Sequence, residues 1–202
     1  MAARGDELNR LPADLPVPQD DGAAAHLAGR RMPPVALPSS RGGTVRLDLL
    51  TARWTVVYCF PAVGRPDLEP PGGIAAWNAI PGARGCTPQA CAYRDHHQEL
   101  RDLGAEVYGV STQPTEDLRE AAARLALPFE MLSDAGLELA RALRLPTFEA
   151  AGRVLLRRLT LILAGGRIEH VRYPVFPPDA DAASVAAWLR QSTAGETKLA
   201  LP

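Results

Sequence analysis

Residues 85–95 read Gly85-Cys86-Thr87-Pro88-Gln89-Ala90-Cys91-Ala92-Tyr93-Arg94-Asp95. Thr87 is a candidate N-cap, Pro88 suits a first helical turn and Gly104 supplies a stop, so the stretch predicts a helix over 88–103. Cys86 then stands at the mouth of that helix. Unpaired N–H groups and the positive end of the helix dipole favour thiolate over thiol there. Arg84, two residues upstream, adds positive potential. Gly85, Thr87 and Pro88 mark a backbone turn rather than a core, which separates Cys86 from the free cysteines that serve as small hydrophobes. Cys91 follows five residues on. On a regular helix that spacing means about 7.5 Å of rise and roughly 140° of rotation, which leaves the Cα atoms about 8–9 Å apart. A disulfide spans less than about 7 Å. A Cys86–Cys91 bond therefore requires the first turns of the helix to unwind.

Upstream, Trp54-Thr55-Val56-Val57-Tyr58-Cys59-Phe60 is β-branched, aromatic and nearly all apolar, the pattern of a strand buried on both faces. Cys59 within it reads as structural. Thr44-Val45-Arg46-Leu47 alternates as a shorter strand does. Between them and the helix, residues 61–85 carry five prolines and five glycines, a density that predicts a long loop without regular elements. Loops of that length in a compact domain are usually functional or disordered. Trp77 inside it predicts partial packing.

Downstream come a core strand at Ala105–Ser111, a helix over 115–125, a short strand at 129–132 and a helix over 134–143. In the first of these helices Glu116 and Asp117 complement the dipole. Residues 157–163 and 167–171 flank Ala164-Gly165-Gly166 as a hairpin, and residues 180–191 form a closing amphipathic helix. Strands alternating with helices and ending in a hairpin predict an α/β domain, a mixed central sheet with helices on both faces. The domain is expected over 31–192, with a loosely held arm at 1–30 and a frayed tail at 193–202.

Composition narrows the function classes. The 22 basic and 23 acidic residues nearly cancel, and no basic stripe offers the footprint of a nucleic-acid binder. No apolar run approaches the roughly 18 residues of a membrane span. Charges and prolines occupy the first 16 residues where a signal peptide needs its apolar centre. A cytoplasmic location is the expectation. Three cysteines are too few for a secreted disulfide framework. A zinc site built from the cysteines with His96 and His97 fails on geometry, because Cys86 and His97 lie about 16 Å apart along a helix. No metal and no bound organic cofactor are expected. His170, on the second hairpin strand, reads as a satisfied or exposed histidine.

The 85–95 segment resembles the active-site segment of the peroxiredoxin Q subfamily, also called bacterioferritin comigratory protein. Ser111-Thr112, Leu132-Ser133-Asp134 and Gly166-Arg167-Ile168-Glu169-His170-Val171 fall in the order of that family, and the resemblance covers residues 32–190. It implies a thioredoxin-like fold and a peroxide-reducing cycle. Cys86 matches the peroxidatic cysteine, which becomes a sulfenic acid. Cys91 matches the resolving cysteine, which condenses with it to an intramolecular disulfide. Thioredoxin or a glutaredoxin-type reductant would then reduce that disulfide by exchange. By its position ahead of the 159–163 strand, Arg158 matches the arginine that holds thiolate and peroxide, and Arg157 is the alternative, since neighbours on a strand point to opposite faces. Trp77, Ala83, Arg84, Gly85 and Thr87 fall on the substrate side of the site. Monomer and homodimer both remain open.

Two positions depart from the family pattern. Ala83 stands where the family places a Thr or Ser that orients the peroxide. Ala79 stands at the pattern's proline, with Pro61 as a displaced equivalent. Thr87, Asn78 or backbone N–H groups are the candidates to replace the lost hydroxyl. These departures keep two rivals in view: a slow redox sensor or docking protein on the same fold, and a protein thiol–disulfide oxidoreductase. The Cys-x4-Cys spacing weighs against the second rival.

Overall fold

The central strand, β3 (Trp54–Cys59), is buried along its whole length, and its side chains alternate between two cores because successive strand residues point to opposite faces. Trp54, Val56, Tyr58 and, just beyond the strand, Phe60 enter one core, while Val57 and Cys59 enter the other. The computed structural model describes residue 8 and residues 10–199, without side chains over 194–199. In it, β4 (Ala105–Ser111) runs parallel to β3, and β5 (Glu130–Ser133) runs parallel to β4. On the other side, β8 (Leu159–Ala164) is antiparallel to β3, and β9 (Arg167–Arg172) is antiparallel to β8. β3 thus sits at the middle of a five-stranded sheet of order β5-β4-β3-β8-β9. Two small hairpins lie apart from this sheet: β1 (Ala36–Pro38) with β2 (Thr44–Arg46), and β6 (Thr147–Ala150) with β7 (Arg153–Leu156).

Helices cover both faces of the sheet. On the first lie α2 (Cys86–Asp95), α3 (His97–Asp102), α4 (Thr115–Arg124) and α6 (Asp181–Leu199), through Tyr93, Leu100, Leu118, Val185 and Leu189. On the second lies α5 (Glu138–Leu143), through Leu139, Ala140 and Leu143, with Leu27, Leu37 and Leu47 beside it. The α/β architecture read from the sequence is the one observed. No helix among the described residues is long and apolar enough to cross a membrane.

Five local expectations are corrected. The helix of 88–103 starts at Cys86, with Gly85 as its N-cap and Thr87 inside the first turn. It also breaks at His96 (φ −91°, ψ 3°), which ends α2 and opens α3. The 61–85 loop holds a helix after all, α1 (Ile74–Ala79). Its six residues fit between the Gly72-Gly73 and Pro81 breakers, and buried Trp77 anchors them. The β6–β7 hairpin is an addition to the expected elements, because its Ala151-Gly152 turn is a weak signal beside an Asn-Gly or Asp-Gly pair. The tail expected from residue 193 continues α6 to Leu199, since no proline interrupts the chain before Pro202. Residues 200–202 lie outside the described residues.

The fifth correction concerns the arm expected over residues 1–30. Its first seven residues and residue 9 lie outside the described residues. The rest is built into the domain. Ala24 and Leu27 are buried in the second core, and the His26 ring meets the Leu143 carbonyl at 2.8 Å. Backbone bonds Gly29 N–H to Ile168 O (2.7 Å) and Ile168 N–H to Arg30 O (2.8 Å) cover the outer edge of β9, a device that keeps a sheet edge from pairing elsewhere. Apolar residues are too sparse in this segment for periodicity to reveal them.

Candidate active site

Gly85 decides where α2 begins. Its φ of +103° lies in the left-handed region, open to glycine without a Cβ penalty. A Cβ there would also collide with Pro178 Cγ and stand 2.7 Å from Leu11 Cδ2. The turn delivers Cys86 to the first helical position. There it is 4% exposed and forms part of the wall of a cleft enclosing about 90 Å³. Around the thiol the cleft is walled by Ala62, Val63, Leu68, Trp77 and Thr87, with Arg84 and Arg153 among its charged groups.

Arg158, immediately before β8, reaches the sulfur. Its Nη2 donates to Cys86 Sγ at 3.1 Å and to the carbonyls of Gly82, Ala83 and Arg84 at 3.2–3.3 Å. Its Nη1 donates to Gln89 Oε1. A guanidinium fixed in this way is a charge-assisted donor aimed at the sulfur. Arg157 turns the other way, to the Thr147 carbonyl (3.2 Å) and towards Asp21 (3.9 Å). The two arginines form the two-residue link between β7 and β8 and turn to opposite sides.

Ala83 is fully buried in a small apolar cluster with Trp77 and Leu155, against Ile80 and Phe148. It supplies packing, and its carbonyl accepts both from Arg158 and from the Cys86 thiol (3.6 Å). Trp77 therefore faces both ways, walling the cleft and bracing the loop on the β6–β7 hairpin, with its ring 6.3 Å from that of Phe148. Of the candidates to replace the missing hydroxyl, Thr87 lines the cleft beside Cys86 and Asn78 does not. Pro61 is likewise absent from the cleft wall; its carbonyl accepts from Ser111 Oγ at 2.9 Å. Gln113 clamps the near wall, bonding both the N–H and the carbonyl of Val63.

Cys91 shares α2 with Cys86, and all three cysteines are free. The helix is continuous between them, so the two Cα atoms keep the separation expected on a regular helix. Cys91 is half-buried, and burial pushes its thiol above the ordinary range, partly offset by Arg94. Cys59 lies on the opposite face of the sheet, where burial pushes its thiol up much further, with Asp134 adding to the effect. His96 bonds Glu99 (2.7 Å), His97 lies against Phe129, and His170 stacks on Trp188 at 4.8 Å. None of the three lines the cleft.

Two features escaped sequence reading. Leu8 joins the cleft wall against Gly64, Leu11 presses on Gly85, and Pro18 packs on Gly82, so the N-terminal segment straps the mouth of the site. The second is a buried polar network behind Arg158. In it, Asp181 Oδ2 accepts from Gln89 Nε2 (3.0 Å), Tyr93 Oη (2.7 Å) and Thr160 Oγ1 (2.6 Å), while Oδ1 accepts from Arg172 Nε (3.0 Å). The sequence signal available was an Asp at the start of an amphipathic helix, which reads equally well as a dipole-complementing surface residue.

Comparison with known proteins agrees with this geometry. Residues 72–171 match the model of the AhpC/TSA family. The chain is 34% identical over 108 residues to the chloroplastic peroxiredoxin Q of Sedum lineare, covering 54% of this chain and 48% of that protein. It is 30% identical over 152 residues to peroxiredoxin Bcp of Escherichia coli (strain K12), covering 71% and 83%. The chain thus spans about half the length of the Sedum relative and 61% of the rice ones. Among solved structures it is similar to peroxidoxin BcpB from Mycobacterium tuberculosis, with a TM-score of 0.66 and 25% identity over 81% of this chain and 96% of that one. The fold is also shared with Xanthomonas campestris peroxiredoxin Q, at a TM-score of 0.60, 22% identity and coverage of 89% and 97%. A helix-mouth cysteine held by a buried arginine on a thioredoxin-like sheet, together with these matches, places the chain in the AhpC/TSA family of peroxiredoxins, in its peroxiredoxin Q and Bcp group.

Proposed function

We propose that this chain is a thiol-dependent peroxidase in which Cys86 is oxidised and Cys91 resolves the product. The observation that carries the reading is the 3.1 Å contact from buried Arg158 Nη2 to Cys86 Sγ at the mouth of α2, open to a cleft. The Cys86 thiolate attacks the outer oxygen of a hydroperoxide. An S–O bond forms as the O–O bond breaks, and the leaving alkoxide or hydroxide takes a proton to become an alcohol or water. Arg158 holds the attacking sulfur and offsets negative charge as it moves onto oxygen. The Cys91 thiol then displaces the hydroxyl of the Cys86 sulfenic acid as water, leaving a Cys86–Cys91 disulfide. A dithiol protein of the thioredoxin or glutaredoxin type returns both thiols by exchange.

The test is stopped-flow oxidation of the reduced protein by hydrogen peroxide and by an organic hydroperoxide. Fast oxidation is expected, abolished by Cys86→Ser and arrested at sulfenic acid by Cys91→Ser. Oxidation no faster than that of a free thiol would overturn the reading. The sensor alternative would then lead, and it is the burial of Ala83 in place of a hydroxyl that favours it.

A further inference from the structure

We propose that Asp181 is a positioning residue for the reactive thiol, acting through Gln89 and Arg158 from the first turn of the C-terminal helix. The proposal deepens the peroxidase reading and rests on it for its consequence, although its geometry stands independently. Asp181 is 1% exposed, and four side-chain donors converge on its carboxylate: Gln89 and Tyr93 from α2, Thr160 from β8 and Arg172 from β9. The Tyr93 phenol is held well above its ordinary range by burial first and by the adjacent Asp181 second, so it stays a donor.

The chemistry of an amide makes this hub directional. Gln89 carries a donor end and an acceptor end. An ionised carboxylate accepts only, so Asp181 takes the NH2 end of Gln89 and leaves its oxygen facing Arg158 Nη1. Arg158 Nε is buried without a hydrogen-bond partner among the described residues, so the guanidinium is held by its two Nη groups. Gln89 Oε1 is the acceptor of Nη1, while Nη2 is shared between three carbonyls and Cys86. Turning the amide round would set NH2 against guanidinium and free Nη1 to swing away. The polarity of Asp181 is thus passed through one amide to the donor that touches the sulfur.

The same hub ties α2 in place. Gln89 lies between the two cysteines and Tyr93 two residues beyond the second. Unwinding α2 for a Cys86–Cys91 bond breaks the Gln89 link, while the Tyr93 link marks where unwinding stops. Arg158 is thereby released from Asp181 once the thiol has reacted.

The experiment measures the pH profile of Cys86 alkylation by iodoacetamide, site-resolved by mass spectrometry, in the full chain carrying Cys91→Ser. The charged groups lining the cleft, Arg65, Glu69, Arg84, Asp117 and Arg153, are common to every variant. Tyr58, which faces Cys86 from β3, stays neutral because burial holds it far above the ordinary phenol range. In Asp181→Asn one carboxylate oxygen becomes a donor and must face either Arg172 or Gln89. The midpoint of the profile is expected to rise by about one pH unit, the scale of a lost hydrogen-bonded charge partner, and peroxide oxidation to slow about tenfold. Adding Gln89→Glu to Asp181→Asn is expected to restore the profile, because the new carboxylate accepts from Arg158 and from the amide introduced at position 181 alike. A purely architectural Asp181 would instead lower the melting temperature and leave the profile unmoved, which overturns the proposal. Should Asp181→Asn fail to fold, Gln89→Met tests the same link, and an unmoved midpoint there overturns it too. A wild-type protein indifferent to peroxide would sink the peroxidase reading while leaving the alkylation profile to judge Asp181 separately.

Discussion

At the scale of single residues, the site depends on which atoms Cys86 meets. Ala83 offers only a carbonyl, and Thr87 is the hydroxyl-bearing candidate that lines the cleft beside the sulfur. Thr87→Val is expected to slow Cys86 oxidation by roughly one to two decades, the consequence of losing a transition-state hydrogen bond of about 1–3 kcal/mol. Single-turnover oxidation of the Cys91→Ser protein measures it. The other two cysteines follow from burial. Cys59 is sealed in the second core and its thiol is pushed far up, whereas Cys91 is half-buried with a smaller upward shift. Since the thiolate is the nucleophile, a raised thiol reacts more slowly at neutral pH and gains reactivity as pH rises. Iodoacetamide should therefore label Cys91 increasingly across the alkaline range and leave Cys59 untouched until the chain is denatured. Labelling of Cys59 in the native protein would contradict the packing. The place of Cys86 at the mouth of a helix was legible in the sequence, because a turn followed by a helix start is local information. The deputy for the missing hydroxyl was narrowed from three candidates only when the cleft wall could be seen.

At the scale of elements, α2 carries both cysteines on one unbroken ladder, with the Gln89 N–H bonded to the Gly85 carbonyl at 3.0 Å. The spacing that forbids a disulfide on a regular helix was a sequence inference, and the structure supplies the continuous helix it assumed. Oxidation with one equivalent of peroxide is expected to deprotect the amides of residues 89–92 towards hydrogen exchange, while those of β3 and β4 keep their protection. Equal exchange in reduced and oxidised protein would mean that no such local opening accompanies oxidation. The elements misread were those with weak local signals. Helix α1 hides among breakers and is held by Trp77, and β6–β7 turns on Ala151-Gly152 and is stabilised by the loop it faces. In both, tertiary contact outweighs local propensity.

At the scale of the whole molecule, two layers of helix bury β3 from both sides, and the N-terminal segment completes the second. Leu27 is fully buried there among Val57, Leu139 and Leu143. Leu27→Ala is expected to cost about 2–5 kcal/mol through the lost transfer energy and the cavity left behind. Near 200 residues that amounts to a fall of roughly 4–20 °C in melting temperature. Calorimetry measures it; a change near zero would restore the view of this segment as a loose arm. The strap formed by Leu8, Leu11 and Pro18 joins this support to the site, because it rests on the loop that positions Cys86.

By itself the sequence determined the elements that are locally coded: the alternation of strands and helices, a helix following the Gly85-Cys86 turn, and the Cys86–Cys91 spacing. Tertiary structure alone decided which distant groups meet at the thiol. Gln89 and Asp181 are 92 residues apart, and no periodicity links them. Their pairing exists because α6 packs on α2 and brings an acceptor-only carboxylate against an amide that has to choose a direction.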